Sequence, residues 1–116
     1  MKHITEASKE WTHKPGYSKK ILLNPEELHK EGILVQKLQI APGQTAKNHV
    51  HKKQTEIFYF LNTVGEFVVN EKKIDLHVGD ILVIEPGDWH STSNSSDANF
   101  EYIAFKYDWV DGDYYE

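Results

Sequence analysis

From Gly32 onward the sequence is cut into short apolar runs by turn signals that recur about every ten residues, and none of the runs carries a helical period. ILVQKLQI (Ile33–Ile40) ends at Pro42-Gly43, and EIFYFL spans Glu56–Leu61. EFVVN (Glu66–Asn70) and KIDLHV (Lys73–Val78) flank Asn70-Glu71-Lys72. Asparagine tolerates the left-handed backbone of a tight turn, so this pair reads as a hairpin. DILVIE (Asp80–Glu85) ends at Pro86-Gly87, and a Ser/Asn/Asp loop (Ser93–Asn99) precedes the last strand, FEYIAFKY (Phe100–Tyr107). Short strands with regular punctuation predict an all-β sandwich or barrel.

The remainder organises around that unit as one domain. Residues 1–20 are mostly polar, with Trp11 and Tyr17 as the large aromatic groups, and read as an N-terminal arm. Residues 21–107 form the barrel. Asn24-Pro25-Glu26-Glu27 has the cap, the first-turn proline and the acidic third position of a helix start, and Gly32 limits that helix to one or two turns. Residues 108–116, DWVDGDYYE, are an acidic aromatic tail that either hangs loose or packs on the barrel or a partner.

Composition excludes several functions. The chain has no cysteine, which removes disulfides, thiolate metal sites and thiol nucleophiles and fits a reducing compartment. A net charge of −5, with lysines in scattered pairs, argues against nucleic acid. The apolar runs are too short to span a bilayer, and the first residues lack the apolar stretch of a secretory signal. A cytoplasmic protein without a membrane partner is expected.

Parity along the strands adds an expectation about assembly. In EIFYFL, Glu56, Phe58 and Phe60 share one face and Ile57, Tyr59 and Leu61 the other. Both faces are greasy, as they are in ILVI, so both need cover. One face fills the barrel. A second copy of the chain covers the other, giving a homodimer, unless the N-terminal arm does so.

The segment NHVHKKQTEIFYF sets polar groups at the mouth of this core strand. His49 and His51, two apart, point the same way on an extended chain, and Glu56 shares the face of Phe58 and Phe60, so that if this face is the interior the three groups converge there. A buried unpaired carboxylate costs several kcal/mol even after relaxation, and a divalent metal removes that cost. A fourth group, His90, lies just past the second Pro-Gly turn. The spacings Gly43-x5-His49-x-His51-x4-Glu56 and Gly79…Gly87-x2-His90-x3-Asn94 resemble the two motifs of the cupin superfamily. The resemblance implies a double-stranded β-helix, or jelly-roll barrel, with metal-ligand roles for His49, His51, Glu56 and His90. Two turns depart from the pattern: Thr63 stands where a glycine is usual, leaving Gly65, and Glu85 holds the usual proline place with Pro86 shifted by one.

The other candidates read as scaffold. His3, His13, His29 and His77 are expected at the surface, and Trp89 should point away from the site into core or interface. Phe58 and Phe60 are core first and pocket wall second. Gln54 and Lys47 read as surface loop, within reach of a ligand at the mouth. Three imidazoles and a carboxylate suit iron, manganese, nickel, cobalt or zinc, with one or two coordination positions open. The expected function is an enzyme acting on a small oxygen-rich molecule, of dioxygenase, isomerase or decarboxylase/lyase type. The alternative is a non-catalytic module that binds or senses a small molecule. No general base stands out beyond the ligand set.

Overall fold

The computed structural model describes residues 1–116. Ten strands run in the order β1 (Trp11–Lys14), β2 (Tyr17–Leu23), β3 (Leu34–Ile40), β4 (Thr45–His49), β5 (Thr55–Phe60), β6 (Glu66–Val69), β7 (Lys72–Ile74), β8 (Ile81–Ile84), β9 (His90–Ser93) and β10 (Phe100–Tyr107). They form two antiparallel sheets, a six-stranded one ordered β1-β2-β3-β10-β5-β8 and a four-stranded one ordered β4-β9-β6-β7. This is the jelly-roll arrangement of two facing sheets. The helical parts are a 3-10 turn at Glu6–Ser8 and one α turn, α1 (Pro25–Leu28). Asn24 and Glu27 cap α1 reciprocally, side chain to backbone. No helix is long and apolar enough to cross a membrane.

The polar arm differs from its sequence reading. Residues 11–23 form a hairpin that adds two strands to the larger sheet, with β2 paired to β3. Its turn is Pro15-Gly16, and Gly16 has φ +83. A β-carbon there would lie 2.1 Å from the carbonyl oxygen of Thr45, so only glycine lets this turn tuck against β4. The Asn70-Glu71 turn has both residues at positive φ, 49 and 67, closing a two-residue hairpin between Val69 and Lys72. The run Lys73–Val78 shrinks to β7, because the chain turns again where the Asp80 carboxylate accepts from the His77 backbone N–H.

The core lies between the sheets. Phe58, Phe60, Phe67, Phe100 and Tyr102 interlock with ring centroids 5.2–6.1 Å apart. Gly65 belongs to this packing, since a β-carbon on it would stand 2.1 Å from the Phe100 ring. Glu56, Phe58 and Phe60 face inward and are buried, while Tyr59 and Leu61 face out and are 49% and 43% exposed. The hairpin extends the large sheet at its far edge and does not cover that outer face.

Candidate metal centre

Two sheets meet at the site. His49 ends β4 and pairs directly with His90 at the start of β9. Register shifts between Ala46 and His49, two inward positions three apart, so an odd spacing needs a bulge to re-aim the histidine. Val50 exchanges backbone hydrogen bonds with Tyr115, which fixes the chain between His49 and His51. Glu56 reaches the same space from β5 in the opposite sheet. One ligand atom from each of His49, His51, Glu56 and His90 lies within 4.8 Å of the others.

Each imidazole is held the same way. The Nδ1–H of His49 donates to the carbonyl of Lys47 at 2.7 Å, that of His51 to Asp113 at 2.5 Å and that of His90 to Asp88 at 3.0 Å. A backbone carbonyl can only accept, so each Nδ1 carries the proton and each Nε2 keeps a lone pair. The Nε2 atoms of His51 and His90 lie 2.5 and 3.5 Å from Glu56 Oε1. Both are buried, and neither reaches it in hydrogen-bonding geometry. Orphaned buried nitrogens aimed at a buried carboxylate are what a cation would satisfy. The donor set therefore fits a divalent metal.

Electrostatics agree with that chemistry. Burial pushes the Glu56 carboxyl up, but its surroundings, the Lys106 ammonium foremost, more than reverse this and hold it well below the ordinary carboxylate range. Burial, and next the neighbouring His90, lower His49 to about 4, so it is neutral and able to ligate at ordinary pH.

The C-terminal tail is part of the site. The Asp113 carboxylate accepts the backbone N–H groups of Lys52, Lys53 and Gln54 at 2.8–2.9 Å, closing the loop between His51 and Glu56. The Tyr114 ring stacks on His49, with centroids 4.6 Å apart and planes 21° off parallel. Burial, and then Glu116, raise the Tyr114 hydroxyl to about 12. Sequence reasoning left this tail open, and no local signal marks it, because its partners are some sixty positions away.

A cavity of about 610 Å³ opens beside the four groups. Phe58 lines it, whereas Phe60 is fully buried beneath. Gln54 is not a surface-loop residue: it is buried and its amide lies 3.4 Å from Glu56 Oε1, because the Asp113 clamp folds its loop inward. Lys47 is exposed at the rim. Trp89 points away from the site and is 40% exposed, outside the core. His77 is exposed beside Asp75 and Asp80. Asn94 is buried and donates to the carbonyls of Ile40 and Ala98, so its place in the second motif is that of a loop clamp.

The cupin domain family matches residues 36–106, a span that holds all four groups. The chain is a cupin. An oxalate-binding protein of Thermotoga maritima is 30% identical over 83 residues, covering 72% of this chain and 69% of that protein. A solved Thermotoga maritima protein described as a predicted oxalate decarboxylase superposes with a TM-score of 0.76 at 24% identity, over 91% of this chain and 98% of that one. A cupin sugar phosphate isomerase from Silicibacter pomeroyi gives 0.74 at 18% identity, over 91% and 75%. These likenesses fix the jelly-roll fold of this cupin, and its departures at Thr63 and Glu85 lie in turns outside the ligand cluster.

Proposed function

We propose that His49, His51, Glu56 and His90 hold one divalent transition metal ion, and that the protein uses it to bind and transform a small oxygen-rich molecule. The observation that carries this reading is the convergence of orphaned Nε2 atoms on one buried carboxylate. Nitrogen and oxygen donors suit iron, manganese, nickel, cobalt or zinc. When bound, such an ion polarises a substrate oxygen or activates water or dioxygen, which serves dioxygenase, isomerase or decarboxylase/lyase chemistry.

The protein's own parts have separate tasks. Three backbone carbonyls hold the imidazoles in one tautomer. Phe58 and Tyr102 wall the inner end of the cavity. Burial, and then Glu56, raise both Tyr17 and Tyr102, so their hydroxyls stay protonated and able to donate at neutral pH. The Thermotoga maritima oxalate-binding protein supports an acid as the ligand. It also supports a second reading, in which the centre captures a ligand without turnover.

The test loads purified protein with iron(II) or manganese(II) and follows oxygen uptake and products with oxalate, keto acids and sugars. Turnover that His51→Ala abolishes and His77→Ala keeps is the expected result. Binding without product selects the capture reading. Failure of the wild type to retain metal overturns both.

We also infer that a second copy covers the outer face of β5, β8 and β10. Tyr59, Ile81, Val83, Phe105 and Tyr107 share that face and are 39–65% exposed. The rest of the sheet's outer face is already engaged, with Lys20, Lys37 and Glu101 paired among themselves and with Glu6. Strand β8 is a free edge of this sheet, which a two-fold axis can pair with its own copy.

A further inference from the structure

Two ammonium groups in the cavity are not needed to hold a metal. Lys106 shares the inward face of β10 with Tyr102 and Ala104 and stands opposite Glu56 in register. Its side chain is 12% exposed, and its Nζ lies 3.7 Å from Glu56 Oε2, too far for a hydrogen bond. Lys19 lies half-buried on the inward face of β2, opposite Leu38 of β3. No carboxylate stands within ion-pair distance of it. Burial, and then Lys106 and Lys14, hold its ammonium below the usual lysine value, while Asp111 on the tail acts the other way.

Gln36 sits between these strands, paired in register with Ile21 of β2 and Ala104 of β10. It is 3% exposed, and its Oε1 has no partner. Thr92 Oγ1, on the facing sheet, is likewise buried and unpartnered. All four residues line the cavity. A scaffold role explains Lys106 in part, as a counter-charge to Glu56. It does not explain Lys19, which has no acid to neutralise. A half-buried ammonium without an acceptor is costly unless a ligand supplies one, and the unpartnered Thr92 hydroxyl can donate to the same ligand.

We propose that Lys19 and Lys106 form an anion subsite beside the metal centre, so that the ligand is a small acid carrying a second carboxylate beyond the oxygens that reach the metal. The reading rests on the metal centre proposed above. A cavity of about 610 Å³ has room for such a molecule and exceeds what a two-carbon acid would fill.

Malate and lactate separate the two parts of the site. Both present the same hydroxy-acid chelate to a metal, and malate alone adds a second carboxylate. Calorimetry on zinc-loaded protein should show malate bound about tenfold or more tightly than lactate, the size of a charge-assisted hydrogen bond. In the Lys19→Gln/Lys106→Gln protein that ratio should fall close to one with zinc content unchanged. Should the Lys106 change prevent folding, the half-buried Lys19→Gln alone should still cut the ratio severalfold. A wild type without preference, or a ratio the variants do not alter, overturns the subsite. A wild type that retains no zinc fails the metal reading instead; malate binding that Lys19→Gln/Lys106→Gln weakens then still supports the lysines, and malate binding unmoved by those changes overturns them.

Discussion

Asp113 shows how a single side chain controls the site from outside it. Its carboxylate gathers three N–H groups of the loop between His51 and Glu56, and its own carbonyl orients His51. Burial pushes this carboxyl up, and the N–H groups of Lys52, Gln54 and Lys53 more than offset that and hold it below the ordinary range. Asp113→Ala is expected to lower metal affinity about 10- to 100-fold, the usual effect of losing an outer support of a ligand. Asp113→Asn, which keeps an oxygen acceptor, should recover part of it. Titration with a competing chelator measures both, and an affinity unmoved by Asp113→Ala would mean that the tail does not position His51.

At the scale of elements, α1 anchors the N-terminal segment. Lys9 pairs with Glu27 at 2.8 Å, and Glu27 also accepts the Asn24 N–H to complete the cap. The Lys9 hydrogen bond, and then the Asn24 N–H, hold the Glu27 carboxyl below its usual value of 4.5. A carboxyl lowered on folding stabilises the fold above its unfolded pKa, and that contribution disappears as pH falls through the lower folded value. Glu27→Gln should therefore melt modestly below the parent at pH 7, and the gap should close in strong acid. A gap of equal size at pH 7 and pH 2 would show that charge is not what anchors this turn.

The legibility of these elements followed how local their causes are. Alternation in EIFYFL is a property of six consecutive residues, and it grouped Glu56, Phe58 and Phe60 on one face, which the structure turns inward. Asn70 and the Asn24 cap are equally local. Strand β1 escaped notice because Trp-Thr-His-Lys is polar and mostly exposed, held by its pairing along the sheet more than by burial. Lys106 lay within reach of the same parity argument, since it continues the inward series Phe100, Tyr102, Ala104. The tail could not be read, because an acid that caps a loop sixty positions away looks like any exposed aspartate in sequence.

For the whole molecule, the outer sheet face divides into a charged half and an apolar half. Ion pairs among Lys20, Lys37, Glu101 and Glu6 occupy the first. The second exposes Ile81 at 65% and Val83 at 47% on an edge strand, an arrangement that monomers avoid. Sedimentation is expected to find a dimer, and Val83→Lys should weaken it at least tenfold without moving metal content. A monomer at high micromolar concentration would leave that face without the proposed partner.

The central claim is that four side chains from two sheets grip one ion. Anomalous diffraction from crystals of the metal-loaded protein, at the edges of the candidate metals, tests it most directly. The expected result is one peak about 2.0–2.2 Å from the Nε2 atoms of His49, His51 and His90 and from a Glu56 oxygen. Absence of a peak there, with the imidazoles turned from one another, would contradict it.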